Sequence, residues 1–146
     1  MSDEQSLMRF RVRSVELAVE AGVVEEVVEQ SSLTLVPGVP SHIPGVVAVR
    51  GEAVPLLDLG AFLGLEATGT DDVRESRVLL VRVTPYRVGL LCDAVLGIVT
   101  FDSAQHAPPA SLQPAALRGY SSAELDLGGA VGALLDLPSL LEAARA

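Results

Sequence analysis

Gly45-Val46-Val47-Ala48-Val49-Arg50-Gly51-Glu52-Ala53-Val54-Pro55-Leu56-Leu57-Asp58-Leu59 is the stretch on which the fold turns. Val46 to Val49 and Ala53 to Leu57 flank Arg50-Gly51-Glu52, and Gly51 can take the positive φ that a hairpin turn requires. Pro55 cannot donate to a β-ladder, which predicts that the second strand lies at an edge or that its proline sits at a bulge. Asp58-Leu59 leads into a short helix over Gly60 to Leu63.

Towards the C-terminus, Glu66 to Ser76 is polar and reads as an exposed loop. Strands follow at Arg77 to Thr84 and Arg87 to Cys92, joined by Pro85-Tyr86, and at Val95 to Thr100. Ala107 to Pro114 reads as a proline-rich connector, Leu117 to Ser121 as a strand and Ala130 to Leu135 as the last strand. Pro138 suits a first helical position and starts a helix to about Ala144. Leu56-Leu57-Asp58-Leu59 recurs as Leu134-Leu135-Asp136-Leu137. The echo fits two related small sheets, and it equally fits two leucine-rich strands that each run into an aspartate N-cap.

Towards the N-terminus, Leu33 to Val36 is a short strand and Pro37 to Pro44 an ordered loop. Val23 and Val27, with Val24 and Val28, recur at i and i+4 opposite Glu25, Glu26 and Glu29, the spacing of a brief amphipathic helix. Their β-branching leaves a strand open. Met8, Phe10 and Val12 alternate with Arg9, Arg11 and Arg13, the period of a strand with one buried face. Leu17 and Val19 point inward with Glu16, Ala18 and Glu20 outward, so a second strand can set glutamates across from the arginines. Arg13-Ser14 is a poor two-residue turn, which leaves a longer loop open.

Composition narrows the function. At 146 residues the chain has the size of one domain and can bury roughly 70% of its unfolded surface. Residues 1–6 are polar and are expected to be flexible, without the basic flank and apolar run of a signal peptide. No apolar stretch nears the roughly 20 residues of a membrane span, so a soluble cytoplasmic protein with no membrane insertion is expected. Ten basic against nineteen acidic residues give a formal charge of −9, which repels nucleic acid. With no tryptophan, three phenylalanines and two tyrosines, a platform for stacking bases is unsupported as well.

Chemistry is hard to find. His42 and His106 lie in proline-rich loops without a second ligand at metal spacing. Cys92 falls inside an apolar run, where a thiol behaves as a small buried hydrophobe, and as the one cysteine it forms no internal disulfide. Gly128, Gly129 and Gly132 depart from a dinucleotide-binding fingerprint and read as a turn. A phosphate loop needs a lysine, and the chain has none. Asp58, Asp93 and Asp136 could converge as catalytic carboxylates, or each could end a strand and cap the next element. No metal and no cofactor is expected.

The stretch from Gly45 to Leu59 resembles the central signature of the CheW family of chemotaxis coupling proteins, in which an Asn-Leu-Arg-Gly turn precedes a Val-Pro-hydrophobic-Asp-Leu strand. Phe10 with Leu17-Ala18-Val19, Val24-Glu25-Glu26-Val27, Leu35-Val36-Pro37-Gly38, Val88 to Val95 and Leu134 to Leu137 are similar to the family in order and spacing, so the likeness spans about Leu7 to Leu141. It implies an all-β fold with short helices, a single domain over residues 1–146 made of two small five-stranded β-barrels packed together. It also implies a non-enzymatic adaptor between the cytoplasmic tip of a chemoreceptor, a methyl-accepting chemotaxis protein, and the regulatory domain of a CheA-type histidine kinase. By the same resemblance Arg50 is the candidate receptor contact, Gly51 shapes its turn, and Glu26 is a second receptor-facing residue. Ala48 stands where the family has asparagine, which removes an amide from the turn. Without the family, Arg50 reads as a solvated turn arginine paired with Glu52. Two other functions stay open: an adaptor that binds receptor but not kinase, and a small-ligand barrel or enzyme using the carboxylates.

Overall fold

A computed structural model describes residues 4–29, 33–35, 42–66, 77–102, 106–126 and 131–145. The strands are β1 (Glu4–Val12), β2 (Val15–Glu20), β3 (Val24–Glu29), β4 (Leu33–Leu35), β5 (Gly45–Val49), β6 (Glu52–Asp58), β7 (Arg77–Val83), β8 (Tyr86–Cys92), β9 (Ala94–Asp102), β10 (His106–Ala107), β11 (Ser121–Asp126) and β12 (Val131–Leu135). Three short helices, α1 (Leu59–Leu63), α2 (Ala115–Gly119) and α3 (Leu137–Ala144), sit between or after them.

The strands form two six-stranded sheets, ordered β9-β1-β2-β12-β11-β10 and β3-β7-β8-β6-β5-β4. Written this way the two sheets have one topology. An antiparallel end strand meets a hairpin (β1–β2 or β7–β8), the hairpin lies parallel to a strand (β12 or β6), and that strand pairs back through β11 or β5 to a short last strand. The five-stranded barrels expected from the family likeness are six-stranded sheets here, because a short end strand of two or three residues, β10 or β4, adds to each.

Each sheet also mixes the two halves of the chain. The β1–β2 hairpin pairs with strands β9 to β12, whereas β7–β8 pairs with β3 to β6. Each hairpin thus completes the sheet built by the other half. Leu56-Leu57-Asp58-Leu59 and Leu134-Leu135-Asp136-Leu137 occupy equivalent places, at the end of the parallel strand and the start of a helix. Both aspartates cap, Asp58 accepting from the Ala61 amide at 3.2 Å and Asp136 from the Ser139 amide at 3.4 Å. The two readings of the echo hold together.

Three apolar cores follow. One face of the second sheet encloses Val47, Val49, Val54, Leu56, Val78 and Leu80, and one face of the first encloses Leu7, Ala18, Phe101, Ala123, Leu125 and Leu134. The opposite faces meet in a larger shared core that includes Phe10, Leu17, Leu57, Leu79, Leu90 and Leu135, closed by Leu59, Leu63, Leu137 and Leu140 of the helices. Alternation along a strand therefore sorts residues between two cores: Val78 and Leu80 face the inside of the curl, Leu79 and Val81 the shared core. Ala18, expected outward, is 1% exposed because its outer face is the inside of the first sheet.

Several elements depart from expectation. The segment after Gly22 is strand β3, preceded by a single 3-10 turn at Ala21–Val23, because pairing with β7 satisfies its backbone and suits its valines. β1 starts at Glu4, so Glu4–Ser6 pair with Asp102–Thr100; residues 1–3 lie outside the described residues. Arg13-Ser14 is a two-residue connection after all, with Arg13 at φ 55°. The Arg13 amide donates to Asp93, its guanidinium donates to the Leu65 carbonyl, and the side chain lies against Gly60, where a Cβ would meet Arg13 Nε at 2.5 Å. Of the two arginines within β1, Arg9 pairs with Glu16 at 2.7 Å.

Pro55 does not mark a sheet edge, since β6 lies between β5 and β8. Pairing with β8 begins only at Leu56, so no ladder bond is asked of the proline. Leu117 lies in α2 and the following strand starts at Ser121. His106 lies in β10, not in a loop. The strand read at Leu33 to Val36 is Leu33–Leu35; most of the loops read at Pro37 to Pro44 and Glu66 to Ser76, and the turn at Gly128-Gly129, lie outside the described residues.

Gly89 sits where β8 pairs with both β6 and β7. A Cβ there would lie 2.6 Å from Val78 Cγ1 and 3.5 Å from Leu56 Cδ1. Val78 is rotamer-locked and buried, so Gly89→Ala is expected to destabilise the protein by about 1–3 kcal/mol. Urea unfolding should show a lower midpoint at unchanged slope.

Candidate functional site

Arg50 and Gly51 form the two-residue turn between β5 and β6, closed by the Val49–Glu52 pair, with φ 48° and 82°. Positive φ at both positions is the type I′ geometry that matches the twist of a hairpin, and Asn-Gly is its preferred sequence. Gly51 meets that demand freely. Arginine does not, because its Cβ crowds the backbone in the left-handed region at a cost of roughly 1–2 kcal/mol. The turn holds the guanidinium out from the sheet end, with the side chain 73% exposed.

Glu26 meets it there. Glu26 Oε2 accepts from Arg50 NH2 at 3.0 Å, and Glu26 is itself less than a third exposed. The three residues singled out by the family likeness are thus brought together, although Glu26 reaches the site from strand β3 and not from a helix. In a flat sheet β3 and β5 would stand about 19 Å apart, four strand spacings. The direct ion pair reports how far the second sheet curls back on itself.

A bulge helps to aim the acids. The register of β3 against β7 shifts between Val24 and Glu26, leaving Glu25 as an extra residue, and bulges re-aim neighbouring side chains. Both consecutive glutamates therefore reach arginines. Glu25 accepts from Arg82 at 2.9 Å and from Arg87 at 3.3 Å. Arg87 also donates to Glu52, the residue after the turn glycine. Arg50 is thus paired with Glu26, and Glu52 with Arg87, contrary to the Arg50–Glu52 pair that sequence neighbours suggest. The Arg82 hydrogen bond, joined by Arg87 and opposed by partial burial, holds the Glu25 carboxyl below its ordinary range. What this acid adds to stability is therefore present at neutral pH and is lost as pH falls through its lowered pKa.

The outward face of the hairpin between these charges is small and apolar. Ala48 and Ala53 lie opposite each other and exposed, followed by Val46 and exposed Pro55. Ala48, where the family has asparagine, offers no hydrogen-bonding group. Pro55 also lines a cleft of about 290 Å³ bounded by Leu56, Leu57, Tyr86, Val88, Leu141 and Ala144. The last turn of α3 forms its far wall. That turn is fastened by the Tyr86 hydroxyl donating to Glu142, by Arg145 over the Tyr86 ring at 5.9 Å, and by His42 Nε2 donating to the Ala144 carbonyl at 2.9 Å.

The three candidate aspartates and the cysteine are each engaged in holding the fold. Asp58 and Asp136 are helix caps and Asp93 braces the Arg13 turn. Cys92 is buried with its thiol against the Arg77 carbonyl at 3.3 Å, and burial, with the Asp93 charge second, pushes it up to about 12. Among the described residues no three His, Cys, Asp or Glu side chains stand together as metal ligands, and no helix is long and apolar enough to cross a membrane.

Residues 6–145 match the family model of the CheW-like domain. Protein FrzA of Myxococcus xanthus is 35% identical over 150 residues, covering 97% of this chain and 88% of its own. Chemotaxis protein CheW of Rhizobium meliloti is 28% identical over 136 residues, covering 93% and 86%. The crystal structure of the scaffolding protein TtCheW from Thermoanaerobacter tengcongensis superposes with a TM-score of 0.82 over 96% of this chain and 88% of that one, at 22% identity.

The burial of Cys92 gives a direct check. At pH 8 a soluble aromatic disulfide reagent should leave the native thiol unmodified and titrate one thiol per chain once urea unfolds it; rapid reaction of the folded protein would show an open core.

Proposed function

The chain belongs to the CheW-like domain family, and from that premise we propose that it couples the tip of a chemoreceptor to a CheA-type histidine kinase. It is a CheW-like adaptor of chemotaxis-type signalling. Its work is read as binding and not catalysis, in the cytoplasm, with the methyl-accepting chemotaxis protein's cytoplasmic tip on one side and the kinase's regulatory domain on the other. Arg50 is the proposed receptor contact, Gly51 the residue that lets the turn present it, and Glu26 the neighbouring acid.

One observation carries the site. An arginine occupies a left-handed turn position where asparagine or glycine would sit at little cost, and its charge projects into solvent. Strain kept at an exposed charge points to a use for the charge. Glu26 beside it gives the tip a positive and a negative end, which fits a partner carrying the complementary pair, and exposed charges of this kind set register and on-rate. Weak single contacts suffice where many copies assemble.

The test is a calorimetric titration of the full chain with a chemoreceptor tip fragment, then with the isolated regulatory domain of the kinase. Arg50→Asn should unfold at the same or a higher temperature, since about 1 kcal/mol of turn strain outweighs an exposed ion pair. It should bind the receptor fragment at least tenfold more weakly. Unchanged receptor affinity would overturn the assignment of Arg50. Absence of kinase binding by the native protein would favour the receptor-only adaptor.

A further inference from the structure

We propose that Arg87 is the positioning residue of the receptor-facing site, a single guanidinium that fastens both elements carrying the Arg50–Glu26 pair. This rests on the reading of Arg50 as a receptor contact. Arg50 belongs to the hairpin tip and Glu26 to the end strand β3, two elements that no backbone ladder joins directly. Arg87 spans that gap. Its NH1 donates to Glu52, two residues after Arg50, while Nε and NH2 donate to Glu25, the residue before Glu26, at 3.3 and 3.4 Å.

The geometry of the guanidinium matters. Its fork can serve two carboxylates on different sides at once, which a lysine ammonium cannot do with the same fixed directions. The side chain is 20% exposed, against 73% for Arg50, so the anchor is the sheltered member and the contact the free one. Arg82, directly opposite Arg87 in the β7–β8 hairpin, adds a second donor to Glu25 and leaves Glu52 to Arg87. Glu25 can reach this cluster because the bulge in β3 re-aims it. Without Arg87 the turn stays a turn, but the distance and direction between Arg50 and Glu26 are no longer held.

The experiment is a double-mutant cycle on the full chain, titrated with the chemoreceptor tip fragment. Arg87→Met keeps the aliphatic stem and removes the fork; it should weaken binding about five- to tenfold with an unfolding midpoint close to native. Arg50→Ala should weaken it at least as much. The double variant should bind no more than twofold worse than Arg50→Ala alone, because Arg87 acts through Arg50. Glu52→Gln, which cuts only the hairpin side on an exposed surface, should reproduce part of the loss, and Arg87→Lys should restore less than half of it. Native-like binding by Arg87→Met and Glu52→Gln together with weakened binding by Arg50→Ala would overturn the positioning role alone, as would losses that simply multiply. Native-like binding by Arg50→Ala would overturn the site reading and the positioning role with it.

Discussion

The central strands of this protein are buried on both faces, and the rest of the structure follows from that constraint. Each sheet curls round a core of its own, and the outer faces of β1, β2, β7, β8 and β12 are covered by packing the two sheets together. Neither sheet can be complete without the other half of the chain, because each hairpin pairs with strands from the opposite half. Leu57, Leu79 and Leu90 from one sheet meet Phe10, Leu17 and Leu135 from the other in a core that water does not enter. Hydrophobic burial on this scale is the dominant favourable term in folding. It frees the sheet ends and hairpin tips to carry charge.

The curl also makes the site. Arg50 and Glu26 are 24 residues apart and lie on elements separated by three other strands, yet their side chains meet at 3.0 Å. A rigid sheet end supplies the frame, a type I′ turn projects the arginine, and a bulge directs two consecutive acids towards three arginines. The site is thus built from secondary-structure exceptions set on a regular base. Such exceptions are where a fold departs from the cheapest local choice, and Arg50 in a left-handed turn is the clearest of them.

Much of this was legible in the residues. The hairpin at 45–58, the hairpin around Pro85, the two aspartate caps and α3 carry local signals that do not depend on distant contacts. β3 was not legible, because valines at 23, 24, 27 and 28 satisfy helical spacing, while pairing with β7, about fifty residues away, makes a strand of the segment from Val24 onward. α2 could have been found from Ala115-Ala116-Leu117-Arg118, good helix formers, but Pro114 and Gly119 so close to either end read as a connector. The family likeness led to Arg50, Gly51 and Glu26. Arg87 carries no such mark: Glu25 and Glu52 lie 62 and 35 residues from it, and only the strand order β3-β7-β8-β6, set by long-range pairing, brings the three together.

The most direct measurement is a heteronuclear NMR titration of the isotopically labelled chain with a chemoreceptor tip fragment. The amides of Glu26, Arg50, Gly51 and Glu52 should shift first and furthest, with the arginine Nε signals of Arg50 and Arg87 following the same binding curve. Shifts confined to β9, β10 and β11 of the first sheet, with the hairpin tip silent at saturation, would contradict a receptor site at the end of the curled second sheet.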